Sequence, residues 1–497
     1  MRIADRRAKI VATIGPATQS EENLEQALLA GMNVARLNFS HGNHEDHLKV
    51  IKSLRKLSQK LMAPVSILQD LQGPKVRVGK FEGGSIQIKK GEIVTVTVNP
   101  VLGKPGLIPS DFKELAIACR PGNRILLDDG LLELEVLSVD KTDIQAKVIY
   151  GGTLKDRKGM NLPGVNLPVE AMTEKDLLDL AFGLENKVDY VALSFVRHGR
   201  DIRKLRELIE EKKSDARVVA KIEMLEALEN LEEIVRLSDV VMVARGDLAV
   251  EVGQSRLPGF QKKIISLCNQ LGKPVITATQ MLDSMVENAR PTRAEITDVA
   301  NAVLDGTDAL MLSAESASGK YPFKAIKTMH EIILEVERTE ETYYKISLEN
   351  EFLSVPSAIG ASASLSALKL NAQAIICLTT TGKTANIIAG FRPKAKIIAV
   401  TNQMEVLNRL ELVWGLQTLN IKTYNSMDDV LNQVDQLLIQ FGLAKTGDRI
   451  ILTLGQPIAN GSKTNSLFVH IVGGENEQRT SNELLPLRFQ ELIESDS

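Results

Sequence analysis

Residues 189–223 read DYVALSFVRHGRDIRKLRELIEEKKSDARVVAKIE. Two short apolar runs, 189–195 and 217–223, flank a charged segment of helical character. Strand-like runs that alternate with helical segments indicate parallel strands joined by helices. The alternation continues with DVVMVA (239–244), KPVITA (273–278) and DALMLS (308–313). This half of the chain therefore predicts five consecutive β/α units.

Three further units lie near the N-terminus. Their apolar runs are KIVATIG (9–15), VARLNF (34–39) and VSILQDL (65–71). The first helix is expected to begin after the N-cap Ser20 and to end at Gly31, and the second to end near Leu61. Thr292 and Glu295 form a capping-box pattern before the last strand. Three and five units make eight, which predicts a closed barrel, with an open doubly wound sheet as the alternative.

The sequence pattern changes between the third and fourth β/α units. From Gln72 to about Val169 short β-branched runs follow one another with glycines between them, which predicts an inserted β-barrel. After about Glu341 a polar, acidic connection leads into a smaller α/β domain. The sequence thus predicts an α/β protein whose domains are a (β/α)8 TIM barrel (1–74 and 170–341), the inserted β-barrel (75–169), a C-terminal α/β regulatory domain (342–473) and a polar tail (474–497).

Composition excludes several classes of protein. The 497 residues are 44% apolar and 25% charged, with a net charge of −3, and no long block of one sign suggests a nucleic-acid arm or membrane tether. The sequence contains no stretch of about 18 uncharged apolar residues, which is the length that a membrane-spanning helix requires. Cys119, Cys268 and Cys377 are too few and too scattered for a disulfide framework. We expect a soluble, cytoplasmic enzyme that binds neither nucleic acid nor membrane.

Polar residues end the predicted barrel strands, where barrel enzymes place their catalytic groups. They are Arg36, Asn38, Ser40 and His41 after strand two, Asp70 after three, Lys221 and Glu223 after five, Arg245, Gly246 and Asp247 after six, Thr279 and Gln280 after seven, and Ser313 and Glu315 after eight. We expect these acidic and basic groups to converge on one rim of the barrel.

The carboxylates in this set predict a metal site. Lys221 and Glu223 are two apart and project to the same side of a strand, and Asp247 arrives on the next strand. Two carboxylates without histidine or cysteine suit Mg²⁺ or Mn²⁺, which keep waters and substrate oxygens as further ligands. For Lys221 and Glu223 alone, a structural ion pair is the alternative.

The basic groups predict anion binding. Arg36 can hold a phosphate through two hydrogen bonds, while Lys221 can act as a mobile charge on a transferring group. Thr279 and the backbone N–H groups near Gly246 and Asp247 can receive a carboxylate. Together they predict a magnesium-dependent enzyme that transfers a phosphoryl group between a small carboxylate metabolite and a nucleotide.

Two other patterns are weaker. His41, His44 and His47 cluster at one helix start, but nothing completes the usual zinc ligand set. The turn TTTGKT (379–384) is similar to the end of a P-loop, yet Cys377 stands where that motif needs its first glycine. Thr380, Thr381, Gly382, Lys383 and Thr384 still predict a phosphate nest for a regulatory ligand, with LGQPIANGSKTN (454–465) as a second wall.

Several long strings, in order, closely resemble the pyruvate kinase family between residue 7 and about residue 472. They are ARLNFSHG (35–42), GPKVR (73–77), KGMNLPG (158–164), AKIEM (220–224), ARGDLAVEV (244–252), ATQMLDSM (278–285), RPTRAE (290–295), DVANAVLDGTDALMLSAESA (298–317) and GKYP (319–322).

The resemblance implies transfer of a phosphoryl group from phosphoenolpyruvate to ADP in glycolysis, giving pyruvate and ATP, in a site between the barrel and the insertion, which acts as a lid. It implies a homotetramer and a sugar-phosphate or nucleotide effector. By matching motif, the substrate contacts are Arg36, Lys221, Gly246, Asp247 and Thr279, the metal ligands are Glu223 and Asp247, and the nucleotide contacts are Arg77, Lys158 and Asn38. The catalytic residues are Lys221, Arg36 and Thr279. A proton relay near Thr279, with Ser313 and Glu315, stays open.

One departure from the family pattern concerns potassium. Potassium-requiring members hold K⁺ with residues that match Asn38, Ser40, Asp70 and a threonine, but the threonine position here is Leu71. Gln72 stands where lysine is frequent, and Lys75 stands where those members usually have glutamate. We therefore expect that K⁺ is not required and that the Lys75 ammonium replaces it.

Two rival functions belong to other classes. A metal-dependent lyase that makes or cleaves pyruvate enolates needs similar carboxylates, but it does not need Arg77, Lys158 or the lid. A phosphometabolite sensor without catalysis does not need Lys221, Glu223 and Asp247. Activity with ADP separates all three functions.

Overall fold

The structure is a computed structural model that describes residues 5–165, 170–339, 343, 354–458 and 463–474. The acidic connection expected after Glu341 lies almost wholly outside the described residues, as does the polar tail beyond residue 474.

The N-terminal segment contains three parallel strands and two helices. They are β1 (Lys9–Ile14), α1 (Glu21–Ala30), β2 (Val34–Asn38), α2 (His44–Leu61) and β3 (Ser66–Asp70). The expected helix ends are confirmed because Ser20 accepts a hydrogen bond from the Asn23 backbone N–H and Gly31 adopts a φ of 118°. A positive φ favours glycine, which has no Cβ to clash.

The inserted segment is built from short strands. Its elements are β4 (Ser85–Ile88), β5 (Ile93–Thr97), β6 (Leu107–Pro109), α3 (Leu115–Ala118), β7 (Arg124–Leu127), β8 (Leu132–Val139), β9 (Asp143–Tyr150), β10 (Gly152–Lys155) and β11 (Met160–Asn161). They form a six-stranded sheet in the order β11-β7-β8-β9-β5-β6 and a two-stranded sheet of β10 and β4. Both sheets pack on one apolar core that is separate from the core of the barrel.

The β/α rhythm then resumes. The elements are α4 (Glu174–Glu185), β12 (Tyr190–Leu193), α5 (Gly199–Glu211), β13 (Arg217–Ile222), α6 (Leu225–Glu229), α7 (Leu231–Leu237), β14 (Val240–Ala244), α8 (Arg245–Val252), α9 (Leu257–Gln270), β15 (Val275–Ala278), α10 (Arg293–Asp305), β16 (Ala309–Leu312), α11 (Ala314–Ala317) and α12 (Pro322–Val336). Thr292 caps α10, and Glu295 returns a hydrogen bond to the Thr292 backbone, as the capping-box pattern predicts.

The eight predicted strands form one closed parallel barrel. Around it the order is β1, β2, β3, β12, β13, β14, β15 and β16, and β16 pairs with β1 through Lys9↔Ala309 and the residues that follow. The order follows the chain, as expected for right-handed β/α units. The barrel is therefore confirmed, and the open doubly wound alternative is wrong.

The C-terminal domain is a layered α/β unit. Its elements are α13 (Val355–Leu370), β17 (Ala374–Leu378), α14 (Lys383–Gly390), β18 (Lys396–Thr401), α15 (Met404–Leu410), β19 (Leu416–Asn420), α16 (Met427–Gln440), β20 (Arg449–Leu454) and β21 (Ser466–Ile471). The sheet order is β19-β18-β17-β20-β21, with β21 antiparallel at one edge.

This domain packs against the amino ends of the barrel strands. The fully buried Leu412 belongs to the apolar cluster inside the barrel, together with Val11, Leu68 and Met242. Lys9 Nζ donates to the carbonyl of Leu416 at 2.6 Å. The C-terminal domain therefore covers the amino ends of the strands and leaves the carboxyl ends, where barrel enzymes place their catalytic groups, uncovered by it.

None of the helices in the described part of the chain has the length and apolar character that a membrane crossing requires. Cys119, Cys268 and Cys377 are buried free thiols. They pack as small apolar side chains, which is their most frequent role.

Candidate active site

Four charged side chains at the carboxyl ends of β2, β3 and β13 form one buried cluster. Arg36 donates from Nε to Asp70 Oδ2 at 2.7 Å. Lys221 Nζ lies 3.2 Å from Asp70 Oδ1 and 3.0 Å from Glu223 Oε1. All four residues are buried. The convergence expected from the strand ends therefore occurs, with Asp70 between the two cations.

The cluster keeps its charges despite burial. Burial alone would raise the pKa of Asp70, but the charges of Lys221 and Arg36 bring it below its ordinary value. Burial lowers the pKa of Lys221, yet Asp70 and Glu223 outweigh that effect and raise it to about 12. A lysine held charged in a buried site is ready to stabilise an incoming anion.

Two residues that the sequence reasoning missed hold this cluster in place. Ser194 Oγ accepts a hydrogen bond from Lys221 Nζ at 2.7 Å and donates to the carbonyl of Leu71 at 2.7 Å. The backbone N–H of Phe195 donates to Glu223 Oε2 at 2.8 Å. Both residues directly follow β12, so the rule that selected the other strand ends could have found Ser194.

Glu223 and Asp247 are close enough to repel one another. Burial and the Asp247 charge raise the pKa of Glu223, against the lowering effect of Lys221. A divalent cation between two carboxylates would relieve this repulsion, so the residues fit the predicted site. In the described part of the chain no cluster of three or more His, Cys, Asp or Glu offers a metal site. A site at Glu223 and Asp247 would leave room for substrate and water ligands.

Lys75 reaches the barrel rim from the start of the insertion. Its Nζ lies 3.6 Å from Asp247 Oδ1, and each side chain is 26% exposed. Among the described residues, the ion pairs of Asp70 are with Arg36 and Lys221 and not with Lys75. The Lys75 ammonium thus lies beside Asp247 at the rim in this structure.

Thr279 lies in strained backbone beside the start of α8. Its φ is +70°, and the next residue, Gln280, has a φ of +52°. A β-branched residue rarely adopts this conformation, and such strain collects at functional sites. Thr279 Oγ1 accepts from the Gly246 backbone N–H at 2.9 Å and donates to the carbonyl of Ala278 at 2.7 Å.

Arg245 holds this strained turn. Its Nη2 donates to the carbonyl of Thr279 at 2.6 Å, and its Nη1 lies 2.8 Å from Asp298 Oδ2. The sequence placed Arg245 among the strand ends but assigned it no role. Arg245 thus orients Thr279 through its backbone carbonyl, while the threonine hydroxyl is hydrogen-bonded to Gly246 and Ala278.

The candidate nucleotide residues lie mainly in the insertion. Arg77 pairs across an isolated β-bridge with Gly159, next to Lys158. Lys158 Nζ is 2.7 Å from Asp128 Oδ1, and Arg77 Nη1 donates to the carbonyl of Arg157 at 3.2 Å. A Cβ at Gly159 would lie 3.2 Å from Lys75 Cε, so both basic residues are near the lysine that reaches the rim. Asn38, at the end of β2, accepts from the Ser40 backbone N–H at 3.1 Å.

The two residues considered for proton transfer have local partners. Glu315 is buried and accepts hydrogen bonds from the backbone N–H groups of Leu282 and Ser313, at 3.2 and 2.7 Å. Burial raises the pKa of Glu315 above its ordinary value, and these hydrogen bonds offset only part of that effect. Its carboxylate therefore links the loops after β15 and β16.

Two of the three clustered histidines have partners for their rings. His44 Nε2 is 2.7 Å from Asp179 Oδ1, and His47 Nε2 contacts the carbonyl of His41 at 3.0 Å. His47 also stacks on Phe39 with ring centroids 4.1 Å apart. The rings of His44 and His47 are therefore engaged by protein groups in this structure.

The predicted effector loop joins β17 to α14. Thr379 Oγ1 accepts from the Gly382 backbone N–H at 2.9 Å, and Gly382 has a φ of 82°. The Thr384 and Thr464 hydroxyls are hydrogen-bonded, which links the loop to the start of the described 463–474 segment. Thr380, Thr381 and Lys383 are exposed. Residues 459–462 of the second wall lie outside the described residues.

A closed parallel barrel with arginine, lysine and paired carboxylates at the carboxyl ends of its strands defines a β/α-barrel enzyme that handles anions. Two family models match the chain: the pyruvate kinase barrel domain over residues 5–326 and the pyruvate kinase alpha/beta domain over residues 357–470. The chain belongs to the pyruvate kinase family and is a phosphotransferase. Members of this family generally use a divalent metal.

Similar proteins cover nearly the whole chain. A pyruvate kinase of Staphylococcus aureus (strain MRSA252) is 45% identical over 475 residues, which is 95% of this chain and 81% of that protein. One from Geobacillus stearothermophilus is 45% identical over 472 residues, 94% of this chain and 80% of that protein. A crystal structure of a pyruvate kinase from Cryptosporidium parvum matches with a TM-score of 0.88 and 37% identity, covering 94% of this chain and 96% of that one.

Proposed function

We propose that this chain transfers the phosphoryl group of phosphoenolpyruvate to ADP and releases pyruvate and ATP in glycolysis. The single observation that carries the proposal is the buried Lys221, which stays charged between Asp70 and Glu223 beside Arg36. Charges fixed in advance stabilise a transferring phosphoryl group without reorganisation during the reaction.

Arg36 and Lys221 divide the work on the phosphoryl group. Arg36 binds the phosphate of the substrate, and its guanidinium is oriented by Asp70 and by the Thr13 hydroxyl, which accepts from Nη1 at 2.9 Å. Lys221 stabilises the phosphoryl group during transfer, because its ammonium can exchange its contacts with Ser194 and the carboxylates for contacts with phosphoryl oxygens. Both cations are catalytic under this proposal.

Glu223 and Asp247 hold Mg²⁺ or Mn²⁺, which supplies Lewis-acid polarisation of substrate oxygens when bound. Glu223 is kept in place by the Phe195 N–H, and Asp247 is less buried and faces Lys75. This pair therefore combines one fixed ligand with one that can move as substrate enters.

The first turn of α8 receives the carboxylate of the substrate. Backbone N–H groups of Gly246 and Asp247 lie there, and a helix N-terminus favours negative charge. Gly246 now donates to Thr279 Oγ1, so carboxylate binding requires the threonine hydroxyl to turn toward the substrate. The strained turn held by Arg245 keeps Thr279 at this position.

The lid brings the nucleotide to the substrate. Arg77 and Lys158 bind the phosphates of ADP from the insertion, and Asn38 contributes from the barrel. Lys158 is paired with Asp128 in this structure and exchanges that partner for a nucleotide phosphate.

The enolate formed by phosphoryl loss is protonated at carbon. We propose water or a hydroxyl relay near Thr279 as the donor. Ser313 can take part through its hydroxyl, whereas Glu315 acts by fixing the loop that carries Ser313, since its carboxylate binds two backbone amides.

Lys75 replaces potassium under this proposal. Its ammonium carries the charge of a monovalent ion on a flexible stem, and its contact with Asp247 places that charge at the rim. The covalent cation travels with the insertion, so closing the lid delivers it to the site.

The C-terminal domain binds a sugar-phosphate or nucleotide effector at Thr380, Thr381, Gly382, Lys383 and Thr384. The hydroxyl-rich turn and the start of α14 suit a phosphate. We expect Lys383→Ala to abolish the effect of sugar phosphates on substrate affinity, and an unchanged response in this variant would place the effector elsewhere.

We further propose a cytoplasmic homotetramer. The edge strand β21 exposes Val469 by 52% and Ile471 by 50%, which is unusual for an unprotected sheet edge. A second copy would cover these side chains. Sedimentation of the purified chain measures the state directly.

The test is pyruvate formation from phosphoenolpyruvate and ADP by the purified chain with Mg²⁺. We expect stoichiometric ATP and no turnover without ADP. Pyruvate formation that does not need ADP would favour a lyase, and binding of phosphometabolites without turnover would favour a sensor.

A further inference from the structure

The insertion is joined to the barrel by two chain segments, and both meet at Asp176. The first segment leaves β3 through Leu71 and Gly73, and the second enters α4 through Thr173. Asp176 is fully buried in the first turn of α4. Its Oδ1 accepts from the Gly73 backbone N–H at 3.1 Å, and its Oδ2 accepts from the backbone N–H and the hydroxyl of Thr173, at 2.9 and 2.6 Å. One carboxylate therefore connects the two segments.

Only part of this arrangement is an ordinary helix cap. Thr173 and Asp176 form a capping box, in which the Thr173 hydroxyl also accepts from the Asp176 backbone N–H at 3.2 Å. A capping box satisfies backbone groups in the first turn of a helix. The contact with Gly73 joins residues 103 positions apart and satisfies no backbone group of α4. It is instead a link between the beginning and the end of the insertion.

Gly73 is also fixed by the chain that follows β12. Its φ is +69°, and a Cβ on this residue would lie 2.8 Å from Phe195 Cδ2 and 3.0 Å from Ser194 Cβ. A residue with a side chain would be strained at this φ and would clash with both neighbours. The Gly73 carbonyl accepts from the Lys75 backbone N–H at 2.9 Å. Gly73 is thus held by close packing on one side and by the Asp176 carboxylate on the other.

Gly73 stands at the start of the segment that carries basic side chains to the barrel rim. Pro74 comes next, and its ring fixes its own φ. Lys75 and Arg77 follow closely, and Lys75 Nζ lies 3.6 Å from Asp247 Oδ1 at the rim. A displacement of Gly73 would therefore move both basic side chains relative to the barrel.

We propose that Asp176 is a positioning residue for ADP, because it fixes the point about which the insertion moves over the barrel rim. With Gly73 held, Lys75 and Arg77 reach the rim in one orientation. Without the link the insertion adopts several orientations, and the apparent affinity for ADP falls in proportion to the fraction that can bind it. The inference rests on the proposed function, in which the insertion carries nucleotide contacts, and adds a residue outside the site.

Asp176→Asn tests the link with little change in shape. An amide has one acceptor oxygen, so it can serve Gly73 or Thr173 but not both. We expect the KM for ADP to rise at least tenfold and the KM for phosphoenolpyruvate to change less than twofold, because the proposed phosphoenolpyruvate contacts belong to the barrel. Thr173→Ala is the matched control, since it removes the capping hydroxyl and leaves the hydrogen bond between Asp176 and Gly73. Its KM for ADP should stay within twofold of wild type.

Three kinetic results would overturn the inference. Equal rises in the KM for ADP in Asp176→Asn and Thr173→Ala would show that Asp176 acts only as a helix cap. An ADP KM within twofold of wild type in Asp176→Asn, or equal rises for both substrates, would show that the residue does not position the nucleotide. Unfolding midpoints establish that each variant is folded. Should Asp176→Asn not fold, Asp176→Ser takes its place with the same expected result, because its shorter hydroxyl serves the capping box without reaching Gly73.

A second measurement does not depend on activity. Spin labels on Lys147→Cys in β9 and Lys204→Cys in α5, both exposed positions, report the distance between the insertion and the barrel, while the native thiols are buried. We expect a broader distribution of distances in Asp176→Asn than in wild type and Thr173→Ala. Equal widths in all three would overturn the inference even if wild type makes ATP. A wild type that forms no ATP from phosphoenolpyruvate and ADP would refute the proposed function, and the distances would still decide whether Asp176 fixes the insertion.

Discussion

Asp70 lies between the two cations of the active site, with Oδ1 at 3.2 Å from Lys221 Nζ and Oδ2 at 2.7 Å from Arg36 Nη2. One buried carboxylate thus sets the spacing of two positive groups that would otherwise repel each other. Removing a single partner from a buried ionic network is strongly unfavourable, because the remaining charges stay buried without compensation.

Asp70→Asn should therefore misplace both cations without changing the shape of the site. We expect kcat/KM for phosphoenolpyruvate to fall about 100-fold, corresponding to about 3 kcal/mol of transition-state stabilisation. Steady-state kinetics measure this, with the exposed Asp215→Asn as control. A loss smaller than threefold would show that the carboxylate does not organise the site.

Glu223→Ala and Asp247→Ala test the metal site. Each deletes one of two proposed protein ligands, so the Mg²⁺ concentration for half-maximal activity should rise at least tenfold. Asp247→Ala also frees Lys75 from its ion pair, so the substrate affinity of this variant should change more than that of Glu223→Ala. Metal titrations that match wild type in both variants would refute the assignment.

Lys75→Glu tests the internal cation. Wild type should keep full activity when K⁺ and NH₄⁺ are replaced by a bulky quaternary ammonium salt at constant ionic strength. The variant should lose activity in that salt and regain it with K⁺, because the covalent charge has been removed. A wild type that loses most activity without K⁺ would show that Lys75 does not substitute for the ion.

Local signals in the sequence predicted much of the fold. The eight apolar runs form the barrel strands. Ser20, Gly31 and Thr292 cap their helices as predicted. Both kinds of feature depend on residues that are only a few positions apart in the sequence. The convergence of Arg36, Lys221 and Glu223 followed from the rule for strand ends.

Other features depend on contacts between distant segments and could not be read locally. The rule for strand ends placed Asp70 at the rim, but it did not predict that Asp70 would pair with both Arg36 and Lys221. Leu412 closes the inside of the barrel from another domain, and the backbone of Thr279 is strained by the turn around it. A local sequence pattern does not show which carbonyl or carboxylate from a distant part of the chain a side chain will contact.

Glu251 gives the protein a specific pH dependence. It is buried on α8, and burial with the Glu226 and Asp247 charges raises its pKa from 4.5 to about 7, although Arg197 lowers it. The folded state therefore binds this proton more tightly, and its stabilising effect is complete below pH 4.5 and lost as pH rises through 7. At most about 3 kcal/mol of the free energy of unfolding is involved.

Glu251→Gln should remove this dependence. Without divalent metal, wild type should lose more thermal stability between pH 5 and pH 8 than the variant, and the variant should be the more stable at pH 8. Unfolding midpoints measure the difference, with the exposed Glu229→Gln as control. Parallel pH profiles for wild type and Glu251→Gln would contradict the assignment.

Lys221→Met tests the central claim most directly, because it removes the charge proposed to stabilise the phosphoryl group while keeping an unbranched side chain. The measurement is the single-turnover rate of ATP formation from phosphoenolpyruvate and ADP at saturating Mg²⁺, for wild type, Lys221→Met and the exposed control Lys204→Met. We predict a rate at least about 1,000-fold lower in Lys221→Met and a normal rate in the control, with a lower unfolding midpoint in Lys221→Met because Asp70 and Glu223 lose a cation, and a protein that is still folded at the assay temperature. A folded Lys221→Met protein that forms ATP within tenfold of the wild-type rate would contradict the account.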